Sequence, residues 1–307
     1  MRKLCWIQAL LLISCELVID IDVPYRGDKI VLNAIQGSSD PWTMELTKTR
    51  YILDSLTSDF PPIADAEVVL FEPNGNSHRL NGAAGGYYWD GGFPQEGMTY
   101  RVVAKASGYN DIEAEMTVPK AVKIREVKWD STKVRKVDPG SPGYERYYNF
   151  GNIPFTITLT DPVNEKNYYT VIVYYWYYYT RVDPDTQIER TDSLRGTARA
   201  WLTDPAVAKQ EDFKSRFSDF AFNGSTYTVP LIAQFNFLNN SSVYRIDVTL
   251  NSISEEYFNY EESRELFNET DGDPFAQPVQ IYSNVKNGLG IFAGFSTDQR
   301  SFDRKFP

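Results

Sequence analysis

The chain has 307 residues, a formal net charge of −10 at pH 7, one histidine, two cysteines and 15% aromatic residues. An acidic chain of this kind argues against nucleic acid and anionic membrane surfaces as partners, and so few His and Cys exclude a zinc site built from several of them. The length allows two domains of ordinary size, and the many Tyr and Phe, with few long helical patterns, point to a mainly β fold.

The first element is a leader. Met1, Arg2 and Lys3 form a basic start, Leu4 to Ile13 an apolar run, and Ser14 a small residue directly before Cys15. That is the pattern of a secretory signal, expected to cover residues 1–14. Leu12-Ile13-Ser14-Cys15 fits a bacterial lipobox, in which the cysteine is acylated and becomes the first mature residue. The apolar run is too short to span a bilayer, which takes roughly 20 apolar residues. A lipid anchor on Cys15 is therefore the expected membrane link. Each buried CH₂ contributes about 0.8 kcal/mol, and stable anchoring needs more than one chain. Cys5 would leave with the signal, so no free thiol remains for a disulfide, a metal or nucleophilic attack.

Residues 15–27 read as an acidic tether carrying Glu16, Asp20 and Asp22, interrupted by Pro24 and Gly27. Residues 28–119 read as one sandwich. Lys29–Ile35, Thr43–Thr49, Ala64–Glu72, Gly85–Trp89, Gly97–Ala106 and Asp111–Val118 are expected strands, separated by turn signals at sandwich-like spacing. His78 falls in the turn-like stretch Asn74–His78, and the expectation is a solvated loop residue. A Ser-His-Asp triad would have to use it, and no Gly-x-Ser-x-Gly elbow is present. The series Asp65–Leu70, Gly86-Tyr87-Tyr88, Gly97–Val102 and Gly108-Tyr109 resembles an immunoglobulin-like or prealbumin-like sandwich of the carboxypeptidase-regulatory type. The resemblance implies a spacer or binding module and names no ligand.

Residues 120–307 read as a second β-rich domain with one or two short helices. Val122–Trp129, Phe155–Thr160, Tyr168–Thr180, Tyr227–Phe237 and Ser242–Asn251 are expected strands. The last of these is expected to carry Val243, Arg245, Asp247 and Thr249 on one face. Residues 181–196 are polar and read as a loop. Ala206–Phe220 reads as a short amphipathic helix, and Ser252–Phe267 as a helix opened by Ser252 or Ser254 before Glu255-Glu256. Then come Pro278–Asn284 and Asn287–Gly294. Together with Pro274-Phe275 these runs resemble a family of uncharacterised Bacteroidota lipoproteins, which share the lipobox, an N-terminal sandwich and this tail. The resemblance covers essentially the whole mature chain. It implies an outer-membrane location and a gene context beside TonB-dependent receptors, and carries over no catalytic residue.

The run Val171–Tyr179 is the best binding candidate. Alternate strand residues face opposite sides, so Tyr169, Val171, Val173, Tyr175, Tyr177 and Tyr179 suit a core. Tyr174, Trp176 and Tyr178 form the other row, which could stack on a glycan or cover a peptide or protein partner. The bland alternative is a strand buried on both faces, or covered by the 252–267 helix. Glu269, Asp271 and Asp273 around Gly272 lack the spacing of an EF-hand, so no metal is expected. Adjacent pairs such as Glu255-Glu256 and Glu261-Glu262 point in different directions on a helix, which does not suit glycosidase chemistry. The expectation is a non-enzymatic, surface-exposed outer-membrane lipoprotein without cofactor, acting beside a TonB-dependent transporter. A structural or adhesive surface module is the alternative, and a hydrolase of unusual carboxylate chemistry stands third.

Overall fold

The computed structural model describes residues 27–50, 60–129, 147–183, 185–207, 214–238, 241–270 and 275–303. Cys15, most of the tether, and Asp271 and Asp273 lie outside these residues. The fold is mainly β. The N-terminal part holds β1 (Ile30–Gly37), β2 (Thr43–Lys48), β3 (Glu67–Phe71), β4 (Ser77–Arg79), β5 (Asn81–Gly82), β6 (Tyr87–Trp89), β7 (Thr99–Lys105) and β8 (Ile112–Thr117). The remainder holds β9 (Ile124–Trp129), β10 (Tyr147–Thr160), β11 (Tyr168–Val182), β12 (Glu189–Leu202), β13 (Arg216–Ser218), β14 (Thr226–Leu238), β15 (Ser241–Ile253), a helix α1 (Glu255–Thr270) and β16 (Leu289–Asp303).

Two cores form. In the first, the sheet β4-β3-β7-β8 packs against the β2-β1-β16 part of a long second sheet. Alternation decides which side chains enter. Leu32, Met44 and Leu46 come from one sheet and Val68, Leu70, Val102 and Ala104 from the other, all essentially inaccessible to solvent. Burial of each large one contributes about 1.5–3 kcal/mol. The second core lies between the β15-β11 part of the long sheet and β9-β10-β14. The sheet turns its corner within β12, whose Glu189–Ala198 part pairs with β11 and whose Arg199–Leu202 part pairs with β14. Val118 belongs to the first core and Val122 to the second.

The C-terminal strand is shared. β16 runs parallel to β1 and antiparallel to β15, and it gives Phe292 to the first core and packs Phe302 against the second. The Asn284–Phe292 run clamps it in place. Asn284 accepts the Phe292 N–H at 2.9 Å and donates to the carbonyls of Phe292 and Glu115 at 2.7 and 3.0 Å. Asn287 takes φ 59° and donates to the Asp111 carbonyl at 3.2 Å. Gly290 has φ 106°, and a Cβ there would stand 2.0 Å from the Leu32 carbonyl oxygen. Only glycine fits such an approach between parallel backbones.

Two expectations need correction. The polar span 181–196 is largely strand, because β12 starts at Glu189 and ladders with β11 out to Val182. Its first seven residues are exposed, so no apolar alternation marks it. Asp183 closes the hairpin by accepting the N–H groups of Asp185 and Thr186, and those bonds hold its carboxyl below the ordinary range. The span 206–220 shows no α-helix among its described residues, since Arg216–Ser218 is strand β13 beside β11 and Asp219–Ala221 a single 3-10 turn. The helix after 252 does form, capped by Ser254, whose Oγ accepts the Tyr257 N–H at 3.3 Å. It runs three residues past Phe267.

Candidate functional site

Strand β11 alternates as its sequence suggests as far as Tyr175, beyond which Tyr177 and Tyr179 are only half-buried. Tyr169, Val171, Val173 and Tyr175 are buried in the second core. Tyr175 leans across the opposite strand, where Gly196 leaves room: a Cβ there would lie within 3 Å of its ring. Tyr174, Trp176 and Tyr178 share the outer face, the first two half-buried and Tyr178 44% exposed.

Each of the three is engaged by neighbouring strands. The register sets Trp176 between Arg245 on β15 and Arg195 on β12. The Arg195 guanidinium lies 3.8 Å over the Tyr174 ring centre and 5.9 Å from that of Trp176, a favourable contact with the negative ring face. Trp176 Nε1–H donates to Asp247 Oδ2 at 2.8 Å, and Arg245 Nε donates to Asp247 Oδ1 at 2.6 Å. Arg245 also reaches Ser301 Oγ on β16 at 2.9 Å. Asp247 is buried, which by itself would raise its pKa. Hydrogen bonds from Arg245, Trp176 and Ser301 outweigh the burial and hold it below the ordinary range.

Tyr178 stacks on Tyr244, with ring centres 4.3 Å apart and planes at 21°. A bulge makes this pair. The β11–β15 register shifts after Trp176, which pairs with Arg245 while Tyr177 pairs with Val243. One extra residue in β15 re-aims its neighbours. Val243 is therefore buried in the core, whereas Arg245, Asp247 and Thr249 line the outer face, so the four do not share one face as expected.

Helix α1 covers the other end of this face. Phe258 packs on Tyr168 at 4.6 Å and Tyr257 approaches Phe295 at 6.3 Å. Tyr257 is pushed up chiefly by burial, and it also senses Glu261 and Tyr174. Arg216 pins the helix from below through Glu262 at 3.0 Å and Glu265 at 2.7 Å. The outer row is thus covered near Tyr168 and open near Tyr178.

Other chemistry-bearing residues lie apart from this face and have partners of their own. His78 sits on the edge strand β4, exposed and 3.0 Å from Glu72. Asp161 is buried and accepts the Tyr169 O–H and the Gly224 N–H, tying the β10–β11 turn to the turn before β14. Burial pushes its carboxyl up. Among the described residues no three His, Cys, Asp or Glu converge on a metal position, and no helix is long and apolar enough to cross a membrane. Sequence reasoning missed Tyr87 and Trp89, exposed on β6 at 47% and 50%. A three-residue strand has too few alternations to declare its outer face.

The chain belongs to a family described as a domain of unknown function (DUF4249), whose model matches residues 16–301. No curated protein matches it. Among solved structures, a two-domain fibronectin type-III segment of chicken tenascin is 12% identical over 74% of this chain and 91% of its own, with a TM-score of 0.19. The major pilin SpaA of Corynebacterium diphtheriae is 10% identical over 74% and 69%, with a TM-score of 0.16. Superpositions this loose carry no functional meaning.

Proposed function

We propose that this protein is a lipid-anchored, surface-exposed component of a bacterial outer membrane that binds and positions a ligand beside a TonB-dependent transporter. The observation that carries the reading is Leu12-Ile13-Ser14-Cys15 after a basic start and a short apolar run. The fourteen residues from Glu16 to Lys29 separate the acylated cysteine from β1. Fully extended they reach at most about 50 Å, enough for the body to stand clear of the bilayer. The open Tyr178 end of the β11 face and the aromatic pair on β6 offer contact surfaces. A non-enzymatic role fits the residue types: one exposed histidine paired with Glu72, and both cysteines within the first fifteen residues.

The test is metabolic palmitate labelling and gentle-detergent pull-down of a tagged chain, with Cys15→Ala as control. Labelling and a stoichiometric TonB-dependent barrel, both lost in Cys15→Ala, are the expected result. A labelled chain recovered alone would refute the transporter role and favour a structural or adhesive module. An unlabelled chain would refute the anchor.

A further inference from the structure

A second aromatic surface lies on the outer face of the first sandwich, and its construction specifies a ligand. Tyr88, in the middle of β6, is buried and held at both ends of its hydroxyl: it donates to the Ile63 carbonyl at 2.9 Å and accepts the Ala66 N–H at 2.8 Å. This locks β6, so alternation turns Tyr87 and Trp89 outward together. Two strand rises separate them by about 6.7 Å. The register sets polar groups beside each ring. Asn33 on β1 and Glu45 on β2 share a row with Tyr87, while Thr43 on β2 and Asn81 on β5 share a row with Trp89.

Among the described residues no ring, ion pair or hydrogen bond engages the side chains of Tyr87, Trp89 or Glu45, in contrast to the β11 row. Asn33, Thr43 and Asn81 beside the two rings are exposed as well. Among the described residues of these two rows Glu45 is the one charged group, so an anionic ligand is disfavoured on a chain already at −10. A quaternary ammonium would want rings on several sides of the cation, and here two rings lie side by side on one strand. A protein partner would want an apolar centre with charges kept to the rim, and here a carboxylate and amides are interleaved with the rings. A sugar polymer meets all these conditions. Its apolar C–H faces stack on flat rings, and its hydroxyls donate to a carboxylate and exchange hydrogen bonds with amides.

We propose that the outer face of β6 and β2 binds a linear, neutral polysaccharide. Tyr87 and Trp89 stack on two of its pyranose rings, and Glu45 accepts hydrogen bonds from its hydroxyls. The site needs neither the lipid on Cys15 nor a transporter, so it goes beyond the function proposed above.

The test is titration of the purified full-length chain in detergent with neutral hexasaccharides of β-1,4-glucose, α-1,4-glucose, β-1,4-mannose and β-1,4-xylose, read by calorimetry. At least one binds, and Trp89→Ala and Tyr87→Ala each raise its dissociation constant about tenfold, the size of one lost stacking contact. Trp89→Phe loses less, and Tyr178→Ala, on the same outer face but with β2, β1, β16 and β15 between, loses nothing. Both replaced rings are half-exposed, so the variants melt with the parent protein. No binding by any hexasaccharide at millimolar concentration overturns the proposal. So does binding that Trp89→Ala leaves intact, or binding of choline in place of the sugars. Because no barrel is present in the assay, a failed pull-down and a failed titration refute different claims.

Discussion

Gly290→Ala is the sharpest perturbation of this fold. The residue stands at φ 106°, and its new Cβ would lie 2.0 Å from the Leu32 oxygen and 2.8 and 2.9 Å from the Leu32 carbonyl carbon and nitrogen. The obstacle is backbone on the neighbouring strand, which no rotamer change relieves. Reaching even 3.0 Å would require β1 and β16 to part by about 1 Å, which spoils nearby bonds in a parallel ladder running from Val31↔Leu289 to Gly37↔Phe295. The strained φ costs about 1–3 kcal/mol, and two weakened ladder bonds cost about 1 kcal/mol each. The sum is about 3–5 kcal/mol, against a total stability of about 5–15 kcal/mol for a typical protein. Urea unfolding followed by circular dichroism reads it as a lower midpoint with little change in slope. Gly91→Ala, where nothing lies within 4 Å of the added carbon, serves as the unaffected control. A loss below about 1 kcal/mol for Gly290→Ala would mean that β16 does not meet β1 in this register.

Removing the Ser254 hydroxyl should cost about 1 kcal/mol by uncapping α1, measured as a midpoint shift of Ser254→Ala, with Ser254→Asp retaining most of it. Arg216→Met should be worse, at about 3–5 kcal/mol, because a guanidinium whose side chain is 9% exposed leaves Glu261, Glu262 and Glu265 without it. Limited proteolysis should then cut first within α1. The Asp247 carboxyl is held below its ordinary value of 3.8, so the folded form binds its proton less readily than the unfolded chain. Its stabilisation is present above about pH 4 and is lost as pH falls through the lower folded value. Asp247→Asn should flatten the acid limb of a stability–pH curve, and an unchanged limb would exclude this group as a cause.

Much of the architecture is legible along the chain because burial leaves a period of two. Most strands from Ile30 to Thr117 read directly, since each has one wet and one dry face, whereas β4, with His78, and β5 did not, being short and exposed throughout. β11 declared its core row for the same reason. β12 hid, because a ribbon projecting beyond the core is polar on both faces and looks like a loop. Arg216–Ser218 looked helical because a three-residue strand carries no period. The β15 bulge was invisible, yet one inserted residue sent Val243 inward and set Tyr244 against Tyr178.

The sequence alone determined the local signals: the acylation motif at Cys15, the alternating strands, the cap before Glu255, and glycines where the tail closes on the first sandwich. Those are properties of a few adjacent residues. Only the tertiary structure decided which aromatic surface is free. Tyr174 and Trp176 are engaged by Arg195 and Asp247, residues 19 to 71 positions away along the chain, whereas Tyr87 and Trp89 face solvent because the strands beside them present small or polar groups. Exposure depends on what distant segments bring to a position, and a pattern of neighbours along one chain does not encode it.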